Sequence, residues 1–185
     1  GAGIGVSAAV EVVGSLCQIG VTIYEQFQLA KANKSQCKRL ADRVVVVCSS
    51  VMGLDLTSKK GNYIFALQKL ETTLKKAQQL IEKFAHDNWF KQVLCAGTDS
   101  EEFKKIYSLL KEHIQQLNLA LTAQQVLNNE EDQKDARLDR DEIKNNIKTI
   151  IDSNVDLKQQ LQTMQLEQKD RSKILDQQMA SMTLA

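Results

Sequence analysis

Five basic residues fall within one short stretch, Lys31, Lys34, Lys38, Arg39 and Arg43, against a single acid, Asp42. Five positive charges less one negative leave a local +4. Clustered cations attract anionic surfaces, and each Lys or Arg near an acidic lipid leaflet contributes about 1 kcal/mol. The cluster follows directly on the most apolar part of the chain, Ile4 to Ala30. A greasy helix running into positive charge suits a lipid surface, and it equally suits a buried helix followed by a solvated one. Lys69, Lys75, Lys76 and Lys83 form a second basic face further on, a pattern most often produced by simple solvation.

Other chemistry lacks its groups. His86 and His113 are far apart, with no Ser, Cys or Asp placed beside them as a nucleophile. The opening GAGIGV imitates a nucleotide-binding loop but has no strand before it and no ribose-binding acid after it. Cys17, Cys37, Cys48 and Cys95 have no paired spacing, so they read as reduced thiols rather than metal ligands. Seven acids crowd residues 130–142, where three basic residues leave −4, and such a run reads as a solvated helix face. A nucleic-acid surface would need reading or stacking residues among its cations, and these are lacking. The expectation is a protein with no enzyme activity, catalytic residue, metal, cofactor or nucleic-acid partner.

The elements that carry the charges are helical. The chain has 185 residues, 43% hydrophobic and 25% charged, with no proline. These values allow a core, exclude wholesale disorder and leave nothing to stop helices. In the first helix Ser7, Glu11, Ser15, Gln18, Thr22 and Glu25 form one polar stripe at 3/4 spacing. Such a stripe predicts that these side chains face water while the rest of the helix fills the core. Constitutive spanning is disfavoured. Nine Ile, Val or Leu residues in Ile4 to Ile23 contribute about −3 to −5 kcal/mol, which Glu11 at about +3 and Gln18 largely cancel. Glu11 and Gln18 would then mark a stripe that lines a wet interior if the helix enters lipid.

Cys37, Leu40, Val44, Val47, Val51 and Leu54 set a core stripe for a second helix. Leu67, Leu70, Leu74, Ala77, Ile81 and Phe84 do so for a third, about Tyr63 to Phe84. Trp89, Phe90, Val93 and Leu94 read as a short helical turn across the bundle end. A fourth helix, capped near Thr98 to Ser100, should run through Phe103, Ile106, Leu110, Ile114, Leu117 and Leu121 to about Leu127. This predicts an all-α up-down four-helix bundle over residues 1–127, then an acidic linker and brace helices over 128–185. Ile143, Ile147, Ile150, Asn154, Leu157, Leu161 and Met164 follow a heptad, a seam for bracing the bundle or for oligomerisation.

Three stretches carry a family resemblance: QCKRLADRV (Gln36 to Val44), IEKF (Ile81 to Phe84) and EEDQKDARLDRDE (Glu130 to Glu142). In this order and spacing the chain, from Tyr24 to Lys144, resembles the amino-terminal region of the mixed lineage kinase domain-like pseudokinases. These are executioners of necroptosis related to HeLo-type death proteins. The resemblance implies a four-helix bundle followed by braces, which restrain the bundle and mediate homo-oligomerisation. It implies a cytoplasmic protein that moves to the inner leaflet of the plasma membrane and permeabilises it through anionic phospholipids, phosphoinositides included. The upstream partner would be a receptor-interacting kinase acting through a pseudokinase domain absent from this chain. The basic cluster from Lys31 to Arg43 matches family positions, with Lys69, Lys75 and Lys76 as further lipid contacts. Glu25 and Gln26 stand where mammalian relatives have a basic pair. The alternative is a non-lytic helical scaffold whose heptad seam does the recognition.

Overall fold

The structure is a computed structural model that describes residues 2–57, 63–86, 99–122 and 125–183. Five α-helices order them: α1 Ala2–Phe27, α2 Lys34–Met52, α3 Tyr63–Ala85, α4 Asp99–Gln116 and α5 Asn129–Thr183. No strand occurs among the described residues, so the all-α expectation holds. The stretch Trp89 to Leu94, the Thr98 cap and Cys95 lie outside them. In the first four helices, α1 packs on α2 and α3, while α4 packs on α3 and α2, which closes the ring.

The core stripes of α2 and α3 are those set by their spacing. Cys37, Leu40, Val44, Val47 and Val51 are buried, as are Leu67, Leu70, Leu74, Ala77, Ile81 and Phe84. Each large apolar side chain so buried contributes roughly 1.5–3 kcal/mol. Phe84 also stacks on Phe103 of α4 at 6.2 Å. The β-branched run Val44 to Val47 is helical, because Val44 and Val47 share the buried face.

The first helix is less covered than its wide apolar arc predicts. Ala9, Leu16, Gly20 and Ile23 are buried, but Val10, Val21 and Tyr24 are exposed along with most of the polar stripe, Glu11 and Gln18 included. Only 22% of the span-like window within Ser7–Phe27 is buried. Val12, Val13, Cys17, Ile19 and Phe27 pack partly against the core on either side of the buried line, and Val10, Val21 and Tyr24 stay bare.

Gly14 and Gly20 of α1 separate by what surrounds them. A Cβ on Gly14 would meet nothing within 4 Å, whereas one on Gly20 would stand 3.0 Å from Cys48 Sγ. Gly14→Ala should therefore stabilise the fold by about 0.5–1 kcal/mol through helix propensity. Gly20→Ala should lose that gain to crowding. Paired thermal melts check this, and equal shifts for both variants would refute the close approach.

The fourth helix stops at Gln116, short of the expected Leu127. Asn118 takes a left-handed φ of 48°. Its N–H bonds Gln115 O at 3.2 Å while the Leu119 N–H bonds Ile114 O at 3.0 Å, a Schellman closure. Leu117 and Leu119 remain buried beyond the turn, so the apolar pattern runs on after the helix has ended.

Between α3 and α4 lies one buried histidine. Thr73 Oγ donates to Lys69 O at 3.3 Å and stands 2.7 Å from His113 Nε2, which makes Nε2–H the donor to the hydroxyl. Nδ1 is then a buried acceptor with no partner among the described residues. Burial pushes the imidazole pKa below 6.5, with Lys69 adding to this against smaller opposing effects of Gln116 and Glu112. A depressed folded-state pKa means stability that is present above the unfolded value and lost as pH falls through the folded one. Urea midpoints should drop on acidification below about pH 6.5, and His113→Gln should flatten that part of the profile. An unchanged profile in the variant would remove His113 as the cause.

The chain forms two compact units, Gly1–Glu142 and Ile143–Ala185. The first unit therefore includes the acidic stretch, which the sequence boundary after Leu127 had assigned to a linker. The expected brace helices are one continuous helix, Asn129–Thr183. In the second unit Met164, Ile174, Leu175, Met179 and Met182 are exposed. Ile143 and Ile147 are half-buried, while the side chains of Ile150, Leu157 and Leu161 lie outside the described residues.

Candidate functional site: the basic face of α2 under the acidic start of α5

The amino terminus of α2 lacks a cap of its own. Asn33 occupies the N-cap with a left-handed backbone, φ 50°, and makes no side-chain cap hydrogen bond. The free N–H groups are taken instead by a carboxylate from α5. The Ser35 N–H donates to Asp139 Oδ1 and the Gln36 N–H to Asp139 Oδ2, both at 2.9 Å. A carboxylate at this end also complements the helix dipole. Asp139 is 1% exposed, and burial raises its pKa against the lowering effect of these bonds.

One and two turns along, the same faces meet again. Arg39 Nε donates to Asp135 Oδ2 at 2.9 Å, and Arg39 Nη1 lies 3.3 Å from Glu131 Oε2. That hydrogen bond raises the already high guanidinium pKa. Arg43 is 4% exposed. Its Nη1 stands 2.7 Å from Asp132 Oδ1, an ion pair whose angle falls outside hydrogen-bond geometry. Its guanidinium lies over the Tyr107 ring of α4 at 4.2 Å. Asp132 is buried too, and burial, with Asp135 adding to it, raises its pKa against the lowering effects of Arg43 and Arg39. Tyr107 is held neutral by burial. Lys34 and Glu142 extend the line as a looser, exposed pair at 3.5 Å.

The acids expected to be solvated thus supply the partners that sequence reasoning missed. Asp132, Asp135 and Asp139 are all buried. Glu131, Asp132, Asp135, Asp139 and Glu142 fall on one face of α5, and Arg39 and Arg43 are one turn apart on α2. Asn128 begins α5 by accepting the Glu131 N–H at 3.4 Å, and Glu130, Glu131 and Asp132 fill the first turn.

The remaining expected lipid contacts divide in two. Lys31 and Lys38 are exposed, Lys38 being paired within α2 to Asp42 at 2.9 Å. On α3, Lys69 lies over the Phe65 ring at 4.9 Å, Lys75 pairs with Glu71 at 3.0 Å, and Lys76 flanks an open α3–α4 groove with Lys83 and Lys105. Arg39 is partly covered and Arg43 is not a surface residue in this state. Cys17 and Cys48 are free thiols, Cys37 is buried, and no group of three or more metal-ligating side chains occurs among the described residues.

An all-α bundle whose basic second helix is capped and paired by an acidic helix is a helical module organised around charge. Residues 13–148 match the Mixed lineage kinase domain-like N-terminal domain, and the chain belongs to that family. The matched span contains α2 and every carboxylate paired to it. The Mixed lineage kinase domain-like protein of Mus musculus is 28% identical over 152 residues, 75% of this chain and 32% of the relative. The chain therefore spans about a third of that relative's length. No solved structure matches it at a significant level.

Proposed function

We propose that the chain is the membrane-permeabilising module of a regulated, necroptosis-like lytic cell death. It binds anionic phospholipids, phosphoinositides among them, oligomerises, and acts on the inner leaflet of the plasma membrane after leaving the cytoplasm. Family membership supports the executioner role, and the observation that carries the membrane step is α1. This helix has the length and mean composition of a membrane span, with Glu11 and Gln18 opposing constitutive insertion, and only 22% of the span-like window is buried. Its polar stripe, with Glu11 and Gln18, would line a wet interior in an assembly. A signal from a receptor-interacting kinase, through a pseudokinase domain outside this chain, would start the process.

In the resting arrangement the acidic start of α5 occupies Arg39 and Arg43, leaving Lys31, Lys38, Lys69, Lys75 and Lys76 on the exposed surface. Ile143, Ile147, Ile150, Leu157 and Leu161 would serve the oligomer. Dye leakage from phosphatidylserine vesicles tests this with the whole chain. The triple variant Lys69→Ala, Lys75→Ala, Lys76→Ala should bind these vesicles roughly tenfold more weakly or worse. Equal binding by parent and variant removes these lysines from the lipid contact. No vesicle binding by the parent favours the non-lytic scaffold.

A further inference from the structure

We infer that the groove between α1 and α2 is a binding site for a single-chain amphiphile with a cationic ammonium head. The groove has a volume of about 580 Å³, within the roughly 300–1,000 Å³ usual for small-molecule sites. Its walls are Val21 and Tyr24 from α1 and Val45 and Met52 from α2. All four are exposed large apolar side chains, so the described chain leaves this surface in water. Its floor is Gly20 and Cys48, and the missing Cβ of Gly20 keeps them close, since one there would approach Cys48 Sγ to 3.0 Å.

The chemistry of the lining selects the occupant. Burial raises the Cys48 pKa to about 12 and raises that of Cys17, so both thiols are neutral and the floor offers no charge. Such a surface suits hydrocarbon. Glu25 is the one charged group among the described lining residues, and it asks for a cation. Tyr24, its neighbour in sequence, also lines the groove, and its ring meets Phe27 edge-on at 5.1 Å. A carboxylate and an aromatic ring lining one apolar groove are groups that attract an ammonium. A fatty acid would bring its carboxylate towards Glu25 and be repelled. The site is therefore distinct in charge from the basic α2 face, and it stands whether or not the chain lyses membranes.

The test is calorimetric titration of the whole chain with decyltrimethylammonium below its micelle concentration, with methyl NMR shifts to locate the binding. Saturable binding is expected, with shifts centred on Val21, Val45 and Met52. Glu25→Gln, at an exposed position, should weaken it roughly fivefold. Tetramethylammonium, which has no tail, should bind at least about tenfold more weakly. Val45→Gln should weaken the tail contact while leaving the helix folded. Decanoate binding as tightly as the ammonium, unchanged affinity in Glu25→Gln, shifts elsewhere or no saturation would each overturn the assignment. So would a dimer in sedimentation that Val45→Gln converts to monomer, because the groove would then be an interface between copies.

Discussion

Replacing Arg43 with alanine should lower the unfolding free energy by roughly 3–5 kcal/mol, the usual cost of leaving one member of a buried ion pair alone. Arg43 and Asp132 are 4% and 8% exposed, so neither charge can turn to water without moving its helix. The substitution strands Asp132, whose pKa burial already raises, and it removes the cation stacked 4.2 Å above Tyr107. The double variant Arg43→Met, Asp132→Leu should recover most of the loss, because apolar side chains of similar size need no desolvation of charge. Urea denaturation of the three proteins decides the matter. An Arg43→Ala protein within about 1 kcal/mol of the parent would mean that the pair is solvated, as most surface pairs are.

The reason this pair escaped the sequence is physical. A carboxylate has the same formula in water and in a buried ion pair, and what distinguishes the two lies about ninety residues away in the chain, as Arg43 does from Asp132 and Arg39 from Asp135. The available signal was the match between a local +4 at residues 31–43 and a local −4 at residues 130–142, in a chain of net charge +1. Apolar stripes are easier to read, since 3/4 spacing has few interpretations; α2 and α3 follow theirs closely. The end of α4 was hidden because Leu117, Leu119 and Leu121 continue an apolar pattern while the backbone of Asn118 turns the chain. For α1 the spacing showed where the polar stripe lay. How much of the remaining surface the bundle would cover depends on its neighbours, and Val10, Val21 and Tyr24 stay bare.

Changing Glu131 and Asp135 together to their amides should raise partition onto phosphatidylserine vesicles by roughly fivefold at physiological salt. The figure takes Arg39, the partly exposed partner of both carboxylates, as one cation released from neutralisation at about 1 kcal/mol. Asp132 and Asp139 stay as carboxylates, so Arg43 keeps its buried partner and the Ser35 and Gln36 N–H groups keep their acceptors. The variant should therefore remain folded. The gain in partition should shrink with added salt, since Arg39 is 34% exposed and screened within about 8 Å at 0.15 M. A folded variant that partitions like the parent would show that the α5 carboxylates hold α2 in place without masking its charge. The lipid contact would then have to be sought on the α3 lysines.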